Sequence, residues 1–311
     1  MKIFVLNKND DLRQVIKDID KDNQEEIVLK LPAGKYEGPI TIDRPNITLE
    51  GKDPLTSIIT GSLAACEIMP DGIKRGTFRT QTLFIDAYNI KLKNITVENT
   101  AGVGEMVGQA IALYADGDNL KFENCRFLGH QDTIFAAPLP EKEVEPGGFR
   151  GPKEKAPRRM SRQSYKDCYI EGDVDFIFGG GRVFFENCEI FALKRDKGYI
   201  TAASTPESEK YGFVFYKCRF NSDSAAGSYY LGRPWRENAK TILIECELGS
   251  HINKKGWHDW NNRGESGGVF YAEYASKGKG AAPEERAAFS RQLEPEEARN
   301  ICEEFGSYTL E

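Results

Sequence analysis

The sequence has no long hydrophobic run. Its apolar stretches fall far short of the ~18 residues that a membrane span requires, which excludes a membrane protein of the helical type. At the N-terminus only Ile3 to Leu6 are apolar, fewer than the ~7 to 15 apolar residues of a secretory signal. We therefore expect a cytoplasmic protein from the sequence as written. An extracellular or periplasmic location would need an export route that the sequence does not reveal.

Histidine is scarce, and the cysteines show no pairing pattern. The chain contains 3 histidines and 7 cysteines, with no Cys-x-x-Cys pair and no Cys/His cluster at zinc spacing. These absences argue against a disulfide framework and a structural metal site, so we predict no metal and no cofactor. The net charge of −6 argues against nucleic acid and anionic membranes as partners. We expect a monomer.

The cysteines mark an internal repeat instead. Aligned segments such as NLKFENCRF and GRVFFENCEI share one column, which is occupied by Ile95, Cys125, Cys168, Cys188, Cys218 and Cys246. Successive members lie 30, 43, 20, 30 and 28 residues apart, which is typical of stacked repeats. The preceding residue is often Asn or Asp, which tolerates the left-handed backbone of a sharp corner. The pattern predicts an all-β parallel β-helix in which the cysteines pack as small buried apolar groups.

Short helices are predicted to cap this solenoid. Apolar residues recur at helical spacing in residues 11–21 and again in residues 294–305, and neither segment has a catalytic pattern. The interval of 43 residues after Cys125 accommodates a long loop over residues 137–160, rich in Pro, Gly and charge. We interpret residues 1–311 as a single β-helix domain. The loop could wall a groove, offer its basic side chains to a substrate or mediate self-association.

An aspartate within an apolar strand gives the first functional signal. If residues alternate strictly in VDFIFG, Val174 and Phe176 point inward while Asp175 and Ile177 point outward. Asp132 follows Cys125 by seven residues, and Asp175 follows Cys168 by the same number. Adjacent coils in register would stack the two carboxylates about 4.8 Å apart.

Two carboxyl groups this close cannot both ionise easily, so one pKa is expected to rise. Such a pair can supply a nucleophile and a general acid. A third cluster, YYLGRPWREN, contains Arg233 and Trp235. The arginine could keep a nearby carboxylate ionised, and the tryptophan offers a face on which a sugar can stack. From this segment alone, a surface arginine and a core tryptophan are equally good interpretations.

At these clusters the sequence resembles the pectin methylesterases of the pectinesterase family. The resemblance covers roughly residues 30–285 and includes GQAIALYADGDNLKFENCRFLGHQDTIFA, GDVDFIFGGG and YYLGRPW in the expected order. It implies a right-handed parallel β-helix that hydrolyses the C6 methyl esters of galacturonate units without metal or cofactor. The implied substrates are methyl-esterified homogalacturonan or oligogalacturonides.

The resemblance also implies roles for individual residues. Asp175 corresponds to the nucleophile and Asp132 to the acid/base, while Arg233 orients Asp175 and keeps it ionised. Gln109 and Gln131 correspond to the donors that stabilise the oxyanion. Trp235 and Phe178 correspond to aromatic contacts with the sugar, and Phe135 replaces a frequent tyrosine among the substrate contacts. Strict alternation would place Gln131 and Asp132 on opposite faces, so the strand must end or bend there if both residues act.

Other readings of the site remain open. Paired carboxylates at about 5 Å could serve a retaining glycosidase, which would make the chain a pectin depolymerase. A lyase is less favoured, because the sequence shows no dense carboxylate cluster for calcium. A catalytically silent carbohydrate-binding solenoid is the third alternative.

Overall fold

The computed structural model describes residues 1–7, 10–20 and 24–309, with side chains described up to residue 306. The strands are β1 (Lys2–Val5), β2 (Ile27–Leu31), β3 (Gly34–Glu37), β4 (Ile40–Ile42), β5 (Ile47–Gly51), β6 (Ser57–Gly61), β7 (Leu83–Ile85), β8 (Ile90–Lys93), β9 (Thr96–Asn99), β10 (Leu113–Ala115), β11 (Leu120–Glu123), β12 (Arg126–Leu128), β13 (Ile134–Ala136), β14 (Arg162–Lys166), β15 (Tyr169–Gly172), β16 (Val174–Gly179), β17 (Arg182–Glu186), β18 (Glu189–Ala192), β19 (Gly198–Ala203), β20 (Phe213–Tyr216), β21 (Arg219–Ser222), β22 (Tyr229–Gly232), β23 (Lys240–Ile244), β24 (Glu247–Leu248), β25 (Phe270–Tyr274) and β26 (Ser290–Gln292). The helices are α1 (Leu12–Asp18), α2 (Gly104–Val107) and α3 (Pro295–Thr309), with short 3₁₀ turns at Thr77–Arg79 and Pro283–Glu285.

The strands form three parallel sheets that wind into a right-handed β-helix, which confirms the predicted fold. Sheet A has eleven strands in the order β1-β2-β5-β8-β11-β14-β17-β20-β23-β25-β26. Sheet B has eight strands, from β3 to β24, and sheet C has seven strands, from β4 to β22. Each complete coil contributes one strand to each sheet, so residues at the same place in successive coils stack along the solenoid.

A left-handed residue makes the corner between sheets A and B, as the repeat predicted. The backbone φ angles are 54° at Asn94, 49° at Asn124, 54° at Asp167, 52° at Asn187, 54° at Lys217 and 53° at Glu245. The side-chain amide of Asn124 also donates to Asn94 Oδ1 at 2.8 Å, which links neighbouring corners. Lys217 and Glu245 adopt the same conformation without such a side chain, so the stacking of coils imposes it there.

The cysteine column lies in the interior, where four of its five thiols donate to a backbone carbonyl of the coil before. The Cys168 and Cys188 thiols donate to the carbonyls of Phe122 and Tyr165, each at 3.4 Å. Burial raises the pKa of both thiols well above the ordinary value, which leaves them protonated and unreactive. The column is therefore core packing, as predicted.

The two terminal helices occupy different places. Asp11 caps α1 by accepting a bond from the Arg13 amide at 3.0 Å, and Leu12 and Ile16 close the N-terminal end of the interior. The predicted segment 11–21 is longer than α1, and Lys21 lies outside the described residues.

Helix α3 runs past residue 305 and packs on the outer face of sheet A. Its Ala298, Ile301 and Phe305 share a cluster with Val214 and Ile242. Phe213 and Leu243, which are adjacent to Val214 and Ile242 in their strands, belong to the interior cluster instead. Helix α3 therefore covers a side of the solenoid and not its open end, where Ala287 and Phe289 pack against the interior.

Residues 137–161 contain no helix or strand, yet the loop is held by specific bonds. The Lys153 ammonium lies 2.6 Å from Asp86 Oδ1. The Arg158 guanidinium donates to backbone carbonyls within the loop, including those of Pro140 and Ala156. These two basic side chains are thus used to shape the loop.

Candidate active site

Asp175 interrupts the alternation of β16. Its backbone is left-handed, with φ of 48°, and the pairing of β16 with β19 shifts register between Val174 and Ile177. Phe176 and Ile177 both pack in the interior as a result. The expectation that Ile177 points outward is therefore wrong, because the kinked residue inserts an extra step into the strand.

Asp132 has the same conformation on the preceding coil. Its φ is 66°, and its backbone amide donates to the Val174 carbonyl at 3.1 Å. Strand β13 begins after it and pairs Ile134 with Ile177, which continues the register from Asp132 to Asp175. The chain turns at Asp132, and this turn lets Gln131 and Asp132 both reach one cleft.

The two carboxyl groups are buried at the cleft floor, since each residue is only 7% exposed. Arg233 holds Asp175 with two hydrogen bonds, from Nε to Oδ1 at 2.9 Å and from Nη2 to Oδ2 at 2.6 Å. Burial raises the pKa of Asp175, and the hydrogen bonds and charge of Arg233 oppose that rise. Burial raises the pKa of Asp132 well above the ordinary value, and the charge of Asp175 raises it further. Asp132 is therefore the carboxyl that retains its proton more strongly.

Gln109 and Gln131 line the same cleft. Gly104 leaves room for Gln131, because a Cβ atom at position 104 would lie 2.3 Å from the Gln131 Oε1 atom. Within the described part of the chain, neither side-chain amide hydrogen-bonds to another residue. Their NH₂ groups are therefore free to donate to a ligand.

Aromatic rings form one side of the cleft. Phe178 and Trp235 line it, with ring centroids 5.7 Å apart. Phe135 does not line it, since its side chain is fully buried beneath Phe78 and Phe178, at 5.0 and 4.9 Å between centroids. The prediction that Phe135 contacts substrate needs correction: this ring supports the aromatic wall from below.

Several residues that the sequence did not point to complete the cleft, whose volume is about 380 Å³. They are Thr77, Phe78, Val144, Glu145, Gly148, Phe149, Ala202, Arg236 and Trp260. Four of them belong to the long loop, which therefore walls the groove. Its cleft-lining side chains are apolar or acidic, whereas Lys153 and Arg158 point elsewhere, so the loop does not present these cations to the cleft.

A larger groove of about 490 Å³ lies between Tyr88, Arg162 and Phe305, away from both carboxylates. Asp132, Asp175 and Arg233 all line the smaller cleft, which is therefore the candidate active site. Among the described residues, no three His, Cys, Asp or Glu side chains are grouped closely enough to hold a metal ion. No described helix is long and apolar enough to cross a membrane.

A carboxyl pair, an arginine and two amides thus meet in one aromatic cleft of a parallel β-helix, and such groups can supply attack, proton transfer and oxyanion binding in a hydrolase. The pectinesterase family model matches residues 7–139 and 155–305. The unmatched interval falls within the long loop. The chain belongs to the pectinesterase family and is a carboxylic ester hydrolase with pectin methylesterase function.

Individual relatives agree with this assignment. The chain is 33% identical over 278 residues to pectinesterase 31 of Arabidopsis thaliana, covering 87% of this chain and 80% of the relative. Two other Arabidopsis relatives, named probable pectinesterase/pectinesterase inhibitors 23 and 64, are longer, and the chain spans 47% and 43% of them.

Solved structures show the same fold. The Aspergillus niger pectin methylesterase superposes with a TM-score of 0.77 at 26% identity, covering 99% of this chain and 95% of the other. A pectin methylesterase in complex with hexasaccharide VII superposes with a TM-score of 0.76 at 24% identity, covering 96% and 94%.

Proposed function

We propose that the protein hydrolyses the C6 methyl esters of galacturonate units in methyl-esterified homogalacturonan or its oligomers, with Asp175 as nucleophile. The observation that carries this proposal is the pair of stacked carboxyl groups with unequal surroundings. Arg233 holds both oxygens of Asp175, whereas Asp132 lies beside it with a pKa raised by burial and by the charge of Asp175. One group is thus suited to attack and the other to donate a proton.

In the first half-reaction, an Asp175 oxygen attacks the ester carbonyl. The carbonyl oxygen gains negative charge, and the amides of Gln109 and Gln131 donate hydrogen bonds to it. Protonated Asp132 then transfers its proton to the methoxy oxygen as the bond from carbon to that oxygen breaks. Methanol leaves, and the sugar acyl group remains bound to Asp175 as an anhydride.

In the second half-reaction, Asp132 is ionised and accepts a proton from water. The resulting hydroxide attacks the acyl carbonyl, and the bond to Asp175 breaks. The galacturonate product carries a carboxylic acid that ionises in solution, Asp175 returns as a carboxylate, and Asp132 is again protonated. No cofactor is required for these steps to balance.

Trp235 and Phe178 are proposed to contact the sugar chain. The half-buried Trp235 ring lines the cleft beside Phe178, at 5.7 Å between centroids, so it presents an aromatic surface to a sugar there. The monomeric state stays a prediction of the sequence, as do the cytoplasmic location and its extracellular or periplasmic alternative. Gel filtration and fractionation of the native cells test them, and fractionation also shows whether polymer or imported oligomers are the substrate.

Incubation with highly methylated pectin tests the proposal. Methanol, new reducing ends and the absorbance of unsaturated products are measured together. We expect methanol alone; new chain ends without methanol would support a depolymerase, and retained binding without any product would support a silent solenoid.

The variant Asp175→Ala is expected to lose methanol release by about 10⁴-fold or more, because alanine cannot form the acyl intermediate. Its far-UV circular dichroism should match wild type, whereas its melting temperature should be lower, because the buried Arg233 guanidinium loses its partner. The exposed Asp196→Ala serves as the control and should keep full activity. Near-wild-type activity of Asp175→Ala would refute the nucleophile assignment.

A further inference from the structure

Arg233 is enclosed by more than its ion pair. Its guanidinium carbon lies 3.9 Å from the ring centroid of Tyr199 and 3.9 Å from that of Trp260. Two rings at this distance from one planar group must lie on different sides of it. The arginine that holds Asp175 is therefore sandwiched between two aromatic side chains.

The Tyr199 side of this sandwich is built on the solenoid. Tyr199 belongs to β19 and pairs in register with Tyr230 of β22. Their rings stack at 5.7 Å with an interplanar angle of 16°, and His258 meets both rings edge-on. Stacking between coils thus fixes this ring.

The Trp260 side has a different origin. Trp260 lies in the segment between β24 and β25, which contains no strand from residue 253 to residue 269. Local bonds hold its backbone, since Arg263 Nη1 donates to the Trp260 carbonyl at 3.4 Å and the Gly264 amide donates to Asp259 Oδ1 at 2.7 Å. A loop far along the chain therefore supplies the second ring.

We infer that Trp260 is a positioning residue for the hydrolysis, which holds the Arg233 guanidinium in the plane where it binds both oxygens of Asp175. This inference rests on the proposed role of Asp175 as nucleophile. A long arginine side chain has several rotatable bonds, and the sandwich removes the rotations that would break one of its two hydrogen bonds. The rings also exclude water from the pair, and each contributes a cation–π attraction.

Trp260 also lines the cleft, so the rival explanation is that it only contacts sugar. Trp235 provides the matched control. Its ring lines the same cleft and lies next to Arg236 at 4.7 Å, and among the described residues no cation–π pair or hydrogen bond joins the Trp235 side chain to Arg233. A pure sugar contact predicts the same behaviour for both tryptophans.

The experiment measures kcat and KM for methanol release across pH in wild type, Trp260→Ala, Trp260→Phe and Trp235→Ala. The other charged or titratable groups near the pair are Asp132, Asp173, Lys197, Tyr199, His258 and Tyr271, and wild type and all three variants keep them. In Trp260→Ala, Arg233 is less constrained and holds Asp175 less firmly. We expect kcat to fall about tenfold and the acid limb of kcat/KM to move to higher pH.

Trp260→Phe should restore most of both properties, because it keeps a ring over the guanidinium. Trp235→Ala should raise KM and leave the acid limb in place. A rise in KM alone for Trp260→Ala, with kcat and the acid limb unchanged, would overturn the inference. If Trp260→Ala is unfolded by circular dichroism, Trp260→Leu gives the same comparison, since it fills the space without a ring.

Failure of the proposed function would look different. In that case wild type would release no methanol, or Asp175→Ala would remain active. With both of these results as proposed, the pH profiles of the tryptophan variants test the positioning role by itself.

Discussion

Asp132 and Asp175 occupy equivalent places on adjacent coils but have different surroundings. Both follow a cysteine by seven residues, both have a left-handed backbone, and both are 7% exposed. Asp175 receives two hydrogen bonds from Arg233, whereas Asp132 lies against the negative charge of Asp175. The repeat thus duplicates a position, and its neighbours along the solenoid give each copy a separate chemistry.

The order of coils explains the difference. Asp132 lies at the entry to β13, Asp175 lies on the next coil in β16, and Arg233 follows β22 two coils beyond Asp175. The arginine reaches back to the nearer carboxylate and its charge acts more weakly on the farther one. One cation at one end of the row is enough to separate the two pKa values.

Among variants that change one of the two aspartates or their shared surroundings, Asp132→Asn is expected to have the largest effect. An asparagine cannot give a proton to methanol or take one from water, so kcat should fall by about 10² to 10⁴-fold. Because Asp175 remains, an acyl-enzyme can still form slowly and accumulate. Mass spectrometry of the protein quenched in acid should detect a galacturonyl adduct on Asp132→Asn.

The paired control is Asp175→Asn, which should carry no such adduct under the same conditions. An adduct on Asp175→Asn alone would mean that the roles are reversed, and equal adduct levels on the two variants would contradict the assignment of Asp175 as the single nucleophile. The adducts on these two variants distinguish the nucleophile from the acid/base, whereas a loss of activity is expected for both variants.

A smaller effect is expected from Asp173→Asn, which changes a charge that both carboxylates share. Asp173 raises the pKa of Asp132 and of Asp175 through its charge, although burial contributes more to each shift. Asp173 contacts His130 Nδ1 and Arg195 Nη1, each at 3.3 Å. Removal of its charge should lower both pKa values, so both limbs of the pH profile of kcat/KM should move to lower pH, by up to about one unit.

The profile of Asp196→Asn, in which an exposed carboxylate is removed, should coincide with that of wild type. If only one limb moves in Asp173→Asn, the two catalytic groups do not share this charge. A shift of both limbs to higher pH would contradict the electrostatic explanation itself.

The smallest effect concerns stability. The pKa of Asp132 is higher in the folded protein than in the unfolded chain, so the folded state binds more protons between these two values. Stability must therefore fall as pH rises through this interval. Asp132→Asn has no proton to lose, and its free energy of unfolding near neutral pH should exceed that of wild type by about 1 kcal/mol.

Chemical denaturation at several pH values measures this difference, which should shrink toward acid pH. Asp118→Asn should behave oppositely, because hydrogen bonds from Arg162 lower the pKa of Asp118 despite the opposing effect of burial. That variant should be slightly less stable than wild type near neutral pH and should approach wild type in acid. A lower free energy of unfolding for Asp132→Asn than for wild type at neutral pH would show that burial of the Asp132 carboxylate does not destabilise the folded state.

The repeated parts of the molecule were the most predictable from sequence. A stacked coil places the same chemistry at the same height in every turn, so cysteines such as Cys168 and corner residues such as Asn124 recur visibly along the chain. Asp132 and Asp175 each follow a cysteine of this column by seven residues, and this equal offset also predicted that they stack on adjacent coils. The prediction from strict alternation was wrong at Ile177, because the left-handed residue Asp175 moves the side chains that follow it in the strand to the opposite face.

Contacts between distant, non-repeating segments were not predictable. Phe135 follows the cleft residues Gln131 and Asp132 closely in the sequence, but its own ring is buried because the rings of Phe78 and Phe178 cover it. Nothing in the local sequence of Trp260 indicates that it reaches Arg233. The long loop could be located from its composition, but the side chains that it turns toward the cleft could not.

The sequence by itself determined the coil, its corners, its cysteine core and the register of two aspartates, because each depends on neighbours one repeat away. The tertiary structure decided which aspartate receives the arginine, which aromatic rings are exposed, and which loops enclose the cleft. These properties depend on side chains that converge from separate coils and from loops outside the repeat. Their burial and electric field arise only when all the coils are stacked.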